Sequence, residues 1–321
     1  MIKKTAVLIV LLLILPVTEA LATHGSVGSG VGQTGPITTI SAYTLGKGKW
    51  IFDAQSEYIK YDEFSDQELM KFAERGENVH SVKYLLSVSA GIAYGFTDDF
   101  TLELRMPYVR RDNIKESHAD EPDEVHHHGD AEGFGDLKAI GYYRLTHLLK
   151  TGVETTVIAG LKMPTGKTND RDVEGQVFEA EFQPGSGSWD PILGAALSKR
   201  FGDVSLDANV LYTFVTEGTQ DTDLGDIFNY NLAVSYRVMK ERPSLDLSLE
   251  LNGIWRDKQK VDGVKDSNSG GNVLFLSPGL RIGWAHKVMG YFSVGVPIID
   301  NPYGIQNDTQ VRIVGGLSFL F

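Results

Sequence analysis

Apolar and polar residues alternate along most of this chain with a period of two. In 244–255, Leu245, Leu247, Leu249, Leu251 and Trp255 share one face, while Asp246, Ser248, Glu250 and Asn252 share the other. Residues 99–108 set Phe100, Leu102, Leu104, Met106 and Tyr108 against Thr101, Glu103 and Arg105. Residues 203–214 and 228–237 repeat the alternation. A helix would scatter these residues around its axis, whereas a strand separates them onto two faces. The pattern predicts twelve strands, over 50–61, 80–94, 99–111, 133–146, 151–164, 188–200, 203–217, 226–239, 243–257, 272–286, 289–299 and 308–321. Each is long enough to cross a bilayer as a tilted strand of ~9–11 residues.

The connections alternate too. Short links near 95–98, 147–150, 201–202, 240–242 and 287–288 interleave with long ones near 62–79, 112–132, 165–187, 218–225, 258–271 and 300–307. Short periplasmic turns and long extracellular loops are the arrangement of an outer-membrane barrel. The expected fold is therefore all-β: a transmembrane, antiparallel, up-and-down β-barrel of about twelve strands over 50–321. Aromatics gather at the strand ends, with Trp50, Phe52, Tyr94, Phe100, Phe201, Trp284 and Phe319 on the short-turn side. Tyr58, Tyr84, Tyr108, Phe214, Phe228 and Trp255 lie on the other. Rings of this kind prefer membrane interfaces.

The first 22 residues read as a secretory signal. Lys3 and Lys4 precede the apolar run 6–15, Pro16 breaks it, and Ala20-Leu21-Ala22 supplies the small-residue exit. The expected address is the outer membrane, with its lipid as surroundings. Residues 23–49 are glycine-rich, and such a stretch can hang as a periplasmic tail or fold into the lumen as a hatch. The flexibility of glycine favours the tail.

Composition narrows the chemistry. The formal charge of −12 argues against nucleic acid, whose phosphates need Lys and Arg. The absence of cysteine excludes thiolate metal sites and cysteine nucleophiles. No G-x-S-x-G or H-E-x-x-H pattern occurs, and no partner pairs obviously with His80 or His286, so neither an enzyme nor a cofactor is expected. The register points Asp53, Glu57, Lys83, Glu103, Arg105, Asp136, Lys138, Arg144, Glu154, Lys162, Asp207, Arg237, Asp246, Glu250, Arg281 and Arg312 inward. Such a lumen can conduct a small solute, or its acids and bases can pair and close it. One stretch offers metal ligands: His118, His126, His127 and His128 lie among Asp120, Glu121, Asp123, Glu124, Asp130 and Glu132. In a solvated outer loop such residues lack a fixed geometry.

Three motifs carry a family resemblance. Gly135-Asp136-Leu137 with Tyr143-Arg144-Leu145, then Gly160 to Pro164-Thr165-Gly166, then Gly187-Ser188-Trp189-Asp190-Pro191 follow one another across the middle of the chain. In this order they resemble a family of outer-membrane proteins named for meta-pathway phenol degradation. The resemblance implies a channel-forming or porin-like transporter for small solutes, with aromatic or other hydrophobic compounds among the candidates. The alternative is a closed barrel whose outer loop captures divalent metal or contacts partners. The alternating last strand ending at Phe321 resembles the signal read by the barrel-assembly machinery, which implies that partner during biogenesis.

Overall fold

The computed structural model describes residues 34–146, 152–284 and 287–321. The expected signal sequence, residues 23–33, most of the link at 147–150 and His286 lie outside the described residues. Twelve strands form the barrel: β1 (Trp50–Tyr61), β2 (Tyr84–Gly95), β3 (Phe100–Ser117), β4 (His126–Phe134, resuming as Leu137–Arg144), β5 (Glu154–Met163) and β6 (Asp190–Phe201). They continue as β7 (Val204–Thr213), β8 (Ile227–Met239), β9 (Ser244–Arg256), β10 (Gly271–Gly283), β11 (Val288–Pro302) and β12 (Thr309–Leu320). Each pairs antiparallel with the next, and β12 returns to β1, with Ile51 opposite Leu320 and Ile59 opposite Arg312. Closure leaves no open sheet edge, which is the condition for strands to cross a bilayer.

Burial is the reverse of a soluble protein. Val88, Ile92, Leu193, Leu206, Leu232, Leu249, Phe292 and Leu317 are exposed on the outer surface. Asp53, Glu57, Glu103, Arg105, Asp207 and Arg312 are buried inside. A hydrocarbon surround rewards that exchange. At the short-turn end Trp50, Tyr94, Phe96 and Phe100 stack in a chain with ring centroids 4.4, 4.8 and 5.8 Å apart. At the other end Tyr58 meets Tyr84 at 5.3 Å and Tyr212 meets Phe214 at 4.7 Å.

Three local features depart from the strand pattern. First, the expected loop over 112–132 is mostly sheet: β3 runs to Ser117 and β4 begins at His126, with Glu116 opposite His126 and Lys115 opposite His127. Charged residues on both faces hide a strand that stands above the membrane in water. Second, β4 is interrupted at Gly135-Asp136, opposite Pro107 of β3, which lacks a ladder donor. Third, the first long loop holds a helix, α1 (Asp66–Ala73), capped by Ser65 and Glu68 in a capping box, and a short strand Val79–Ser81 that extends β3's pairing.

Candidate functional site

The lumen is occupied by the chain's own N-terminal segment. Residues 34–45 enter from the short-turn end, where Arg200 Nη2 donates to the Thr34 carbonyl at 3.2 Å and the Arg200 guanidinium lies 3.8 Å from the Tyr43 ring centroid. They climb to mid-height. There Glu250, at the middle of β9, accepts from the Ile37 amide at 2.5 Å, the Thr38 amide at 3.1 Å, and the Thr39 amide and hydroxyl at 2.8 Å each. Asn209 Oδ1 takes the Ile40 amide and Ser198 Oγ the Ala42 amide, both at 2.8 Å. The segment then returns toward β1, with the Leu45 amide donating to Thr101 Oγ1 at 2.9 Å. A segment outside any sheet thus finds its buried backbone partners on the wall, as burial requires.

Apolar contacts add to the polar ones. Ile37 packs with Tyr291 and Val314, whereas Ile40 and Ala42 pack with Ile140, Ile158, Ile192, Ala196 and Leu211. These wall residues face inward, so the interior is not uniformly polar. Alternation assigns a face to a residue; it does not reveal that an inward isoleucine receives another segment of the same chain.

Several inward charges pair with one another. Arg105 bridges Asp53 at 3.0 Å and Glu103 at 2.8 Å, while Tyr291 donates to Asp53 and Tyr142 to Glu103. Arg312 binds Glu57 at 2.5 Å, and Arg237 holds Asp246 through two bonds of 2.7 and 2.9 Å. Asp207 accepts from Ser198 and Ser205, and buried Arg281 donates to Met289 Sδ. Arg144 lies near Asp99 and Glu154 at the short-turn end. Lys83 stands in the link before β2, half exposed, 3.4 Å from Asp112.

Parts of all three sequence motifs, far apart in the chain, meet at the outer end of the lumen, whereas Tyr143-Arg144-Leu145 lies at the short-turn end. Asp136 accepts from the Gly166 amide at 2.9 Å, and from the Ser186 amide and hydroxyl at 2.9 and 2.7 Å. The Leu137 amide donates to Thr165 Oγ1 at 2.9 Å. Lys162 bridges Asp190 at 2.5 Å and Asp136 at 3.5 Å, with Ser188 at 3.3 Å. A Cβ on Gly166 would stand 2.6 Å from the Gly185 Cα and 2.7 Å from the Gly135 carbonyl carbon, so this crossing admits no side chain. Pro164 ends β5; Trp189 faces outward and exposed, and Pro191 sits on the outward face of β6 beside it.

Just inside this knot is a cavity of about 130 Å³. Thr38 and Ile40 line its inner side, Lys138, Lys162 and Asp190 one flank, and Pro107, Ile192, Leu211 and Leu224 its apolar wall. Outside it lies a vestibule of about 510 Å³, and Leu224 and Arg256 border both spaces.

The vestibule also touches a histidine and carboxylate cluster that sequence spacing did not suggest. His80 Nδ1 lies 2.7 Å from Glu181 Oε1, and its Nε2 lies 2.8 Å from Glu116 Oε1. Burial opposes charge on this ring, but Glu181 and Glu116 reverse the effect and raise its pKa well above the ordinary value. The four histidines singled out in the sequence do not converge on one set of carboxylates, although His118 and His128 share Glu116. His118 faces Glu116, His126 faces Glu121, His127 faces Asp66, and His128 faces both Glu116 and Asp172.

A closed barrel with an apolar exterior, aromatic ends and a polar, partly filled lumen has the fold of an outer-membrane β-barrel. The family described as "Putative MetA-pathway of phenol degradation" matches residues 81–302, and the chain belongs to it. An outer membrane channel from Pseudomonas putida F1 shares the fold at TM-score 0.59 and 19% identity, over 87% of this chain and 97% of that one. The NanC porin aligns at TM-score 0.46 and 8% identity over 84% and 98% of the two chains. The Ralstonia pickettii toluene transporter aligns at TM-score 0.44 and 10% identity over 93% and 98%. A search of curated proteins finds no match.

Proposed function

We propose that the protein is an outer-membrane channel for small solutes, and that residues 34–45 form its inner gate. One observation carries this reading: the outer vestibule and the cavity share a border at Leu224 and Arg256, and Thr38 and Ile40 stand at the far side of that cavity. A solute entering from outside reaches the N-terminal segment, which must shift before the solute can pass. The cavity pairs an apolar wall with the ammonium groups of Lys138 and Lys162. That combination suits a small, mainly apolar or aromatic compound with one polar end, since apolar contact supplies attraction and a few polar groups set orientation. Both ends of the gate are held by ordinary hydrogen bonds to wall side chains, which can break and re-form without unfolding the barrel.

The test is single-channel recording in planar bilayers with the mature protein and with a version lacking residues 23–45. Loss of the segment is expected to raise conductance severalfold while the barrel stays folded. Equal currents from the two proteins would remove the gate from the proposal. Absence of current from both would remove the channel.

A further inference from the structure

We propose that the outer vestibule binds a first-row divalent transition metal of the zinc class between His80, Glu179 and Glu181. Each of the three offers one ligand atom, and these atoms all lie within 4.8 Å of one another. His80 comes from the short strand Val79–Ser81, whereas both glutamates come from the loop joining β5 to β6. The cluster therefore joins two separate parts of the outer mouth. His80 Nε2 lies 3.6 Å from Glu179 Oε2, and its Nδ1 lies 2.7 Å from Glu181 Oε1. Zinc holds nitrogen and carboxylate oxygen at ~2.0–2.2 Å, so its ligand atoms stand roughly 3–3.5 Å apart. The present atoms stand up to 4.8 Å apart, so the side chains close in by roughly an ångström or more around an ion of that bond length.

The donor set and its surroundings fit such an ion. Imidazole with carboxylates suits zinc, nickel, copper or cobalt, whereas calcium and magnesium take oxygen ligands. Both His80 nitrogens face carboxylates. An ion on Nδ1, beside Glu181, therefore leaves Nε2 hydrogen-bonded to Glu116, the support that metal-binding histidines commonly have. That support is itself anchored. Glu116 also meets His128 at 3.2 Å, and the His80 ring stands edge-on to Phe182 at 5.1 Å. Three carboxylates, from Glu116, Glu179 and Glu181, converge on one imidazole, and a dication offsets the excess negative charge. His80, Glu179 and Glu181 all border the vestibule, so the ion has a route from outside.

The inference does not rest on conduction and is tested without it. Zinc is titrated calorimetrically into the untagged, detergent-folded full barrel. Wild type and a His126→Ala/His127→Ala variant are both expected to bind one tight zinc. His80→Gln is expected to weaken that site at least tenfold, and Glu179→Gln/Glu181→Gln likewise, with heat-modifiable gel migration confirming folded barrels. Should His80→Gln fail to fold, the glutamine pair decides the matter, because Glu179 is largely exposed. No tight zinc in wild type overturns the proposal. So does a site that survives in folded His80→Gln, or one that vanishes with His126 and His127. Calcium binding as tightly as zinc at the same residues overturns the transition-metal assignment.

Discussion

At Glu250 a single carboxylate meets three successive backbone amides and a threonine hydroxyl, all buried. An anion suits this role because hydrogen bonds to a charged acceptor are the stronger kind. Glu250→Ala leaves the amides of Ile37, Thr38 and Thr39 without that acceptor, at ~1–3 kcal/mol for each buried donor left unsatisfied. The expected result is a barrel that folds but conducts more, through longer or more frequent openings in planar bilayers. Currents like those of wild type would show that this clasp does not hold the gate. Alternation places Glu250 on the inward face. Its partner set is not legible in the sequence, because residues 37–39 lie more than two hundred positions away and carry no strand signal.

The outer extensions of β3 and β4 are elements that periodicity misses. Ile114 and Ala131 pack there against Phe178 and Phe182 of the β5–β6 loop, an apolar cluster above the membrane. His128 links the same parts, with its two nitrogens 3.2 Å from Glu116 and 3.0 Å from Asp172. The hydrogen bond to Glu116 is the largest influence on its pKa; burial works against the charge, the Asp172 bond adds to it, and the net shift is upward. A folded-state pKa above the unfolded value means stabilisation that is complete below the ordinary histidine range and lost as pH rises through the folded value. Protection factors in residues 170–183, exchange rates corrected for the intrinsic base catalysis at each pH, are therefore expected to fall from pH 6 toward pH 8, and His128→Gln to flatten that dependence. Protection factors that do not change with pH in the wild type would argue against the link. In the same region the Ser65 and Glu68 capping box of α1 was readable, since Ser-x-x-Glu is a helix start in any sequence.

For the whole molecule, stability depends on keeping apolar side chains toward lipid. Leu249 sits near the middle of β9 and is 46% exposed on the outer wall. Leu249→Arg is expected to destabilise the barrel in liposomes by about 2–4 kcal/mol, the cost of arginine near the bilayer midplane. Urea unfolding of the inserted protein measures this, and a loss well under 1 kcal/mol would place Leu249 away from the hydrocarbon. The same arrangement buries inward charges such as Arg105, which pairs with Glu103 on its own strand and with Asp53 two strands away.

Strand number, the sense of each face and the alternation of short and long connections followed from the sequence, because period two and turn spacing are local and a membrane imposes them on every strand alike. The order of the glycine and aspartate motifs also pointed correctly to the family. Tertiary structure alone decided what fills the barrel and what meets at its mouth. Residues 34–45 have no strand periodicity, and their placement depends on Glu250, Asn209 and Ser198 from three separate strands. The meeting of His80 with Glu179 and Glu181 likewise depends on how a long loop folds back over the vestibule. Those are contacts between distant segments, set by closure of the barrel and by packing, and no local pattern encodes them.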